Sequence, residues 1–142
     1  MQAVLLDTSI YINAWRAGEE ADSIKNGLSP YTPVWLSAVV LEELYAGASR
    51  SDRHVIERLE RDFGRVGRIL VPSRSDWVRA GQVLAQLAAR YGYERIGRQR
   101  LTNDALIAMS ATRQGITVVT ANERDFGRLA RFRPFRYEVR SI

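Results

Sequence analysis

The 142-residue chain contains no cysteine, so disulfides and thiolate metal sites are excluded and a reducing cytoplasm is the expected compartment. It has one histidine, His54, within the charged stretch SRSDRHVIERLERD (49–62). A histidine-dependent triad or a multi-histidine zinc site would rest on that residue alone, so both are set aside. No apolar run reaches bilayer-spanning length and no basic-then-apolar leader precedes Val4, so no membrane partner is expected. Lysine is almost missing as well. Of 21 basic residues only Lys25 is not arginine, and the formal charge is +5. The arginine fork suits phosphate, which fits a nucleic-acid partner; the alternative is a merely solvated surface.

What the chain does have is short apolar runs punctuated by turn residues. Residues 3–6 read as a buried strand followed by a helix through Arg16, and GEEADSIKNGLSP (18–30) reads as a loop with a weak helix. VWLS (34–37) is strand-like, and Ser37 is placed to cap the helix AVVLEELYAGA. Residues 52–66 form an amphipathic helix with Val55, Ile56, Leu59 and Phe63 at helical spacing. RILVP (68–72) is a short strand; Ser73 or Ser75 then starts a long helix that stops at Gly92. YERIGRQR (93–100) reads as a basic loop, and LTNDALIAMSATRQG (101–115) as a helix capped by Thr102 or Asn103. ITVVT (116–120) is the clearest strand, ANERDFGRLARF (121–132) a loop with a helical turn, and RYEVR (136–140) a last edge strand. Short strands alternating with longer helices imply an α/β fold, a short parallel sheet flanked by helices on both faces, in one domain over 1–142.

Ligands of such sheets bind beyond the carboxyl ends of the strands. Asp7 follows the first strand, Glu42 and Glu43 lie early in the helix after VWLS, Asp104 opens the helix before ITVVT, and Asn122 and Asp125 follow that strand. Each has a plain alternative: Asp7 and Asp104 as helix caps, Asp125 as a cap or an ion pair with Arg124 or Arg128, the glutamates as solvated charges. The glutamates stand out because AVVLEELYAGA is apolar almost all round, and a buried carboxylate needs a partner. Acids drawn into one cleft repel unless protonated or bridged by a divalent cation, and hard oxygen donors suit Mg²⁺, with Mn²⁺ as a substitute.

LLDTSIYI (5–12), SAVVLEELYAGA (37–48) and LTNDALIAMSATRQGITVVTANERDF (101–126), standing in that order, resemble the motifs of PIN-domain ribonucleases, especially VapC-type toxins of toxin–antitoxin pairs. The resemblance implies a Mg²⁺-dependent endoribonuclease that inhibits translation, is neutralised by a small antitoxin and forms a homodimer. Carried over position by position, its catalytic and metal-site acids fall on Asp7, Glu43 and Asp104. Thr8, Ser9 and Thr120 stand beside them as supporting hydroxyls. Many family members carry a further acid where this chain has Asn122, so Asn122 and Asp125 are expected only to support the site. Arg95, Arg98 and Arg100 of the basic loop are the candidates for holding RNA.

Two other readings compete. Receiver domains and haloacid-dehalogenase-like phosphatases also place an Asp at a strand end. The first need a lysine beyond a later strand, and the second need an Asp where Ser9 stands. A catalytically inert RNA- or protein-binding module of the same fold is the alternative from a different class.

Overall fold

The computed structural model describes residues 2–19, 31–92 and 99–140. In chain order the elements are β1 (Val4–Leu6), α1 (Thr8–Arg16), β2 (Val34–Ser37), α2 (Ala38–Gly47), α3 (Arg53–Arg65), β3 (Ile69–Leu70), α4 (Arg74–Tyr91), α5 (Gln99–Arg113), β4 (Thr117–Thr120), α6 (Glu123–Phe132) and β5 (Tyr137–Val139). The five strands form one sheet in the order β3-β2-β1-β4-β5, and every pairing is parallel. β1 is central, with Val4 and Leu5 opposite Val34 and Trp35 on one side and Thr117 and Val118 on the other. That position explains its uninterrupted apolar composition, since both of its faces are covered.

Parallel crossovers are right-handed. The chain steps from β1 through β2 to β3 in one direction, then returns past β1 to β4 and β5, so its helices cover opposite faces. The strand order therefore turns around between β1 and β4, and the carboxyl ends of those two strands define the crevice where such sheets hold ligands. Asp7 and Thr120 stand at those two ends.

Local chemistry sets most helix ends. Ser37 caps α2 through Val39 N. Ser73 caps α4 in a reciprocal capping box with Asp76. Gly92 and Gly115, both at positive φ, stand just past α4 and α5, where side chains with a Cβ would be strained. Asp76 is fully buried and is also held by Arg113 Nε at 2.9 Å. One carboxylate thus ties the start of α4 to the end of α5.

Two sequence expectations are corrected. Gln99 and Arg100 are already helical, so α5 begins before Thr102 and Asn103, which are not caps, and Asp104 is its sixth described residue rather than its opening one. The polar run QRLTN looked like loop because charge and amide side chains dominate it, yet none of these residues forbids a helix. The stretch after β4 is not a loop with one turn but a ten-residue helix, α6, capped by Asn122 and anchored by buried Phe126 and Leu129. Only two apolar anchors among arginines hid it; their i, i+3 spacing is the signal.

Candidate active site

At the carboxyl end of β1 the chain turns directly into α1, and Asp7 is the hinge. Its carboxylate is an N-cap, as the plain reading has it: Oδ1 accepts from Ser9 N at 3.1 Å and from Ser9 Oγ at 2.5 Å. The other oxygen is not spent on the helix. Oδ2 accepts from Thr120 Oγ1 at 2.8 Å, from the end of β4. Asp7 is only 3% exposed, and a cap does not require that depth. Burial, first among the causes, pushes its carboxyl above the ordinary range, while the bonds from Ser9 and Thr120 pull it back.

Thr8, expected to lie beside Asp7 as a further hydroxyl, instead donates to Glu43 Oε1 on α2 at 2.7 Å. Glu43 is half-buried. Its carboxyl is raised, first by burial and then by repulsion from Glu42 and Asp7, with Thr8 and Asn103 opposing. Asp7 and Glu43 therefore share one electrostatic environment and both resist ionising in it. Glu42, exposed at the surface, shares one of these partners: Asn103 Nδ2 of α5 donates to its Oε2 at 3.0 Å. The sequence offers Asn103 only as a cap, whereas its amide ties α5 to the paired glutamates. Its adjacency to Asp104 was the signal available in the sequence. Asp104 is buried on α5 beside Asn103, and with its position inside the helix the capping alternative for it disappears.

The β4–α6 turn closes the other side. Asn122 N donates to Thr120 Oγ1 at 2.9 Å and Ala121 N to Ser9 Oγ at 3.0 Å, so the turn is laced to the hydroxyls that hold Asp7. Asn122 Oδ1 accepts from Asp125 N, and Asn122 Nδ2 donates to Asp125 Oδ2 at 2.9 Å. Asp125 is accordingly bonded to the cap residue. Asn122 reaches Asp7 through Thr120. Among the described residues no three acids or histidines gather closely enough to make a ready metal cage. Arg95 and Arg98 lie outside the described residues, as does the side chain of Arg100.

Beside Glu43, a cleft of about 750 Å³ opens between α1, α2 and α3, lined by Trp15, Leu44, Ile56, Leu59 and Phe63 among others. No helix among the described residues is long and apolar enough to cross a membrane.

The fold is a parallel α/β sheet with Asp7 buried at the carboxyl end of its central strand. The PIN domain sequence model matches residues 4–132, and the chain belongs to that family, whose members are in general nucleases. It is similar over 98% of its length to 98% of a chain in the DNA-bound VapBC of Salmonella typhimurium (25% identity, TM-score 0.70). A chain of the promoter-bound VapBC2 of Rickettsia felis is matched comparably, with 25% identity, TM-score 0.69 and coverage of 98% of this chain and 99% of that one. VapBC-1 of nontypeable Haemophilus influenzae shares the fold at 21% identity and TM-score 0.67, over 96% of this chain and 97% of the other. No curated protein matches the sequence.

Proposed function

We propose that the chain is a divalent-metal-dependent endoribonuclease acting in the cytoplasm as the toxin of a toxin–antitoxin pair. The observation that carries this reading is the position of Asp7 and Glu43 at the carboxyl end of the central strands, where burial raises both carboxyls and Asp7 further raises that of Glu43. A structural cap or a surface acid has no need of such an environment, whereas a cation would relieve it. The donors fit Mg²⁺ or Mn²⁺ chemically, being carboxylate oxygens with hydroxyls alongside and no nitrogen or sulfur. Asp7, Glu43 and Asp104 would hold the ion. When bound, it would supply charge neutralisation at the scissile phosphate and acidify water there.

The chain's own residues do the rest. Ser9 and Thr120 fix both oxygens of Asp7, so its orientation is set before substrate arrives. Thr8 holds the half-buried Glu43 toward the same cleft, while Asn103, which touches both glutamates, donates to the exposed Glu42, leaving Glu43 as the inward member of the pair. Asn122 and Asp125 support the arrangement through Thr120. The cleft beside Glu43, where the apolar Trp15, Leu44 and Phe63 stand among charged residues, suits the antitoxin. A partner segment seated there would abut Glu43 and obstruct the site.

The test is incubation of the purified protein with total cellular RNA in Mg²⁺, in EDTA, and as the Asp104→Asn variant. Discrete fragments in the first sample alone support the reading. Intact RNA in all three would favour the inert binding module.

A further inference from the structure

Five arginines stand between residues 123 and 136 against two acids, and α6 sorts three of them onto one face. Arg124, Arg128 and Arg131 follow i, i+4, i+7 spacing, opposite the buried Phe126 and Leu129. Asp125, the acid nearest to them in sequence, is bonded to Asn122. Among the described residues, none of these three arginines is ion-paired. They are nevertheless organised. The Arg128 guanidinium lies 4.8 Å from the centre of the Tyr91 ring, and Arg131 Nη1 donates to Tyr91 Oη at 3.2 Å. Tyr91 is in turn braced edge-on by Phe132. Ordering two long side chains on an aromatic costs entropy, and a merely solvated surface has no use for it.

We infer that the Arg124–Arg128–Arg131 face of α6, with Tyr91 beneath it, binds the backbone of single-stranded RNA next to the acidic site. The proposal rests on the nuclease reading for the identity of the strand. Its geometry is independent of that reading. The face begins two residues after Asn122, whose backbone N–H bonds the same Thr120 hydroxyl that holds Asp7. From Arg124 to Arg131 the helix rises about 10 Å, and the long, flexible arginine side chains widen the stretch of strand they can reach to a few phosphates. Guanidiniums spaced in this way match phosphates without reading bases. This surface would therefore set affinity and the direction of the strand, while sequence choice is made elsewhere.

The experiment measures fluorescence anisotropy of labelled oligouridine in EDTA, where metal-dependent cleavage is silent and binding is read whether or not the nuclease reading holds. Wild type, R124Q and R124Q/R128Q/R131Q are titrated over a series of salt concentrations, with unfolding curves confirming that each folds. Three lost phosphate contacts should flatten the slope of log K against log salt by about 2, and one lost contact by about 0.7. Affinity in the triple variant should fall at least about tenfold at low salt. Tyr91→Ala should weaken binding several-fold, and Tyr91→Phe, which keeps the ring under Arg128, should restore most of it. An unchanged slope in the triple variant overturns the proposal even if the wild type cuts RNA. Wild type that ignores the oligouridine overturns it too, and tighter binding of duplex DNA than of oligouridine overturns the choice of partner. Loss of slope in a protein that never cuts RNA would keep the surface while refuting the nuclease reading.

Discussion

Replacing Asp7 by asparagine separates what the fold needs from what a cation needs. The amide oxygen can still accept from Ser9 N and Ser9 Oγ, so the cap survives. On the other side the amide N–H₂ must donate to Thr120 Oγ1, which already accepts from Asn122 N. The Thr120 hydroxyl proton then has to turn elsewhere, with Ser9 Oγ at 3.5 Å as the nearest recorded partner. That rearrangement costs about one neutral hydrogen bond, ~0.5–1.5 kcal/mol. Against it stands the removal of a charge that burial disfavours, and each pKa unit of that rise is worth about 1.4 kcal/mol above the native pKa. Since the native state raises the pKa, folded chains hold the proton more tightly than unfolded ones. The stability contribution of Asp7 is therefore complete below the unfolded value of about 3.9 and is lost as pH rises through the elevated native value. Without divalent ions, urea unfolding of the wild type should show stability declining with pH above about 4, by at most ~1.4 kcal/mol per pH unit per group. Asp7→Asn should remove one group's share, leave the Glu43 share less the part due to Asp7, and match or exceed wild-type stability at pH 7. Millimolar Mg²⁺ or Mn²⁺ should stabilise the wild type and do less for the variant. The reasoning fails if the metal-free variant is less stable than wild type at pH 7 by more than the hydrogen-bond cost, or if the pH slope is identical in both.

Asp104→Asn should abolish RNA cleavage while leaving the unfolding midpoint near wild type, because the acid lies inside α5 and caps nothing; cleavage at the wild-type rate removes it from the site. Glu43→Gln should lose cleavage and Glu42→Gln should largely keep it, as Thr8 turns the first toward Asp7 and Asn103 holds the second; the reverse order would reassign the pair. Asp76→Ala removes both the α4 capping box and the partner of Arg113, whose side chain is 29% exposed. Thermal unfolding should register a loss of about 3 kcal/mol, near the low end for a buried pair, or roughly 10 °C. A shift under about 2 °C would mean that water replaces the bridge.

Features that depend on neighbours a few residues apart were legible in the sequence. VWLS and TVVT are strands because β-branched and apolar residues pack on both faces of a central sheet. Ser37 and Ser73 cap because their hydroxyls reach an N–H two or three residues on. Asp7, Glu43 and Asp104 could be put forward as site acids from residue type, position and family pattern. Their partners could not. Thr8 reaches Glu43 across 35 residues, Asn103 reaches Glu42 across 61, and Thr120 reaches Asp7 across 113. Sequence periodicity carries no record of such distances, because they arise only when parallel crossovers bring β4 beside β1 and α5 beside α2. The same holds for α6, whose helix rests on burying Phe126 and Leu129 against a core assembled from distant segments. Which residues carried charge was settled in the chain; which of those charges were buried, paired or aligned on one face was decided by the packing of helices on the sheet.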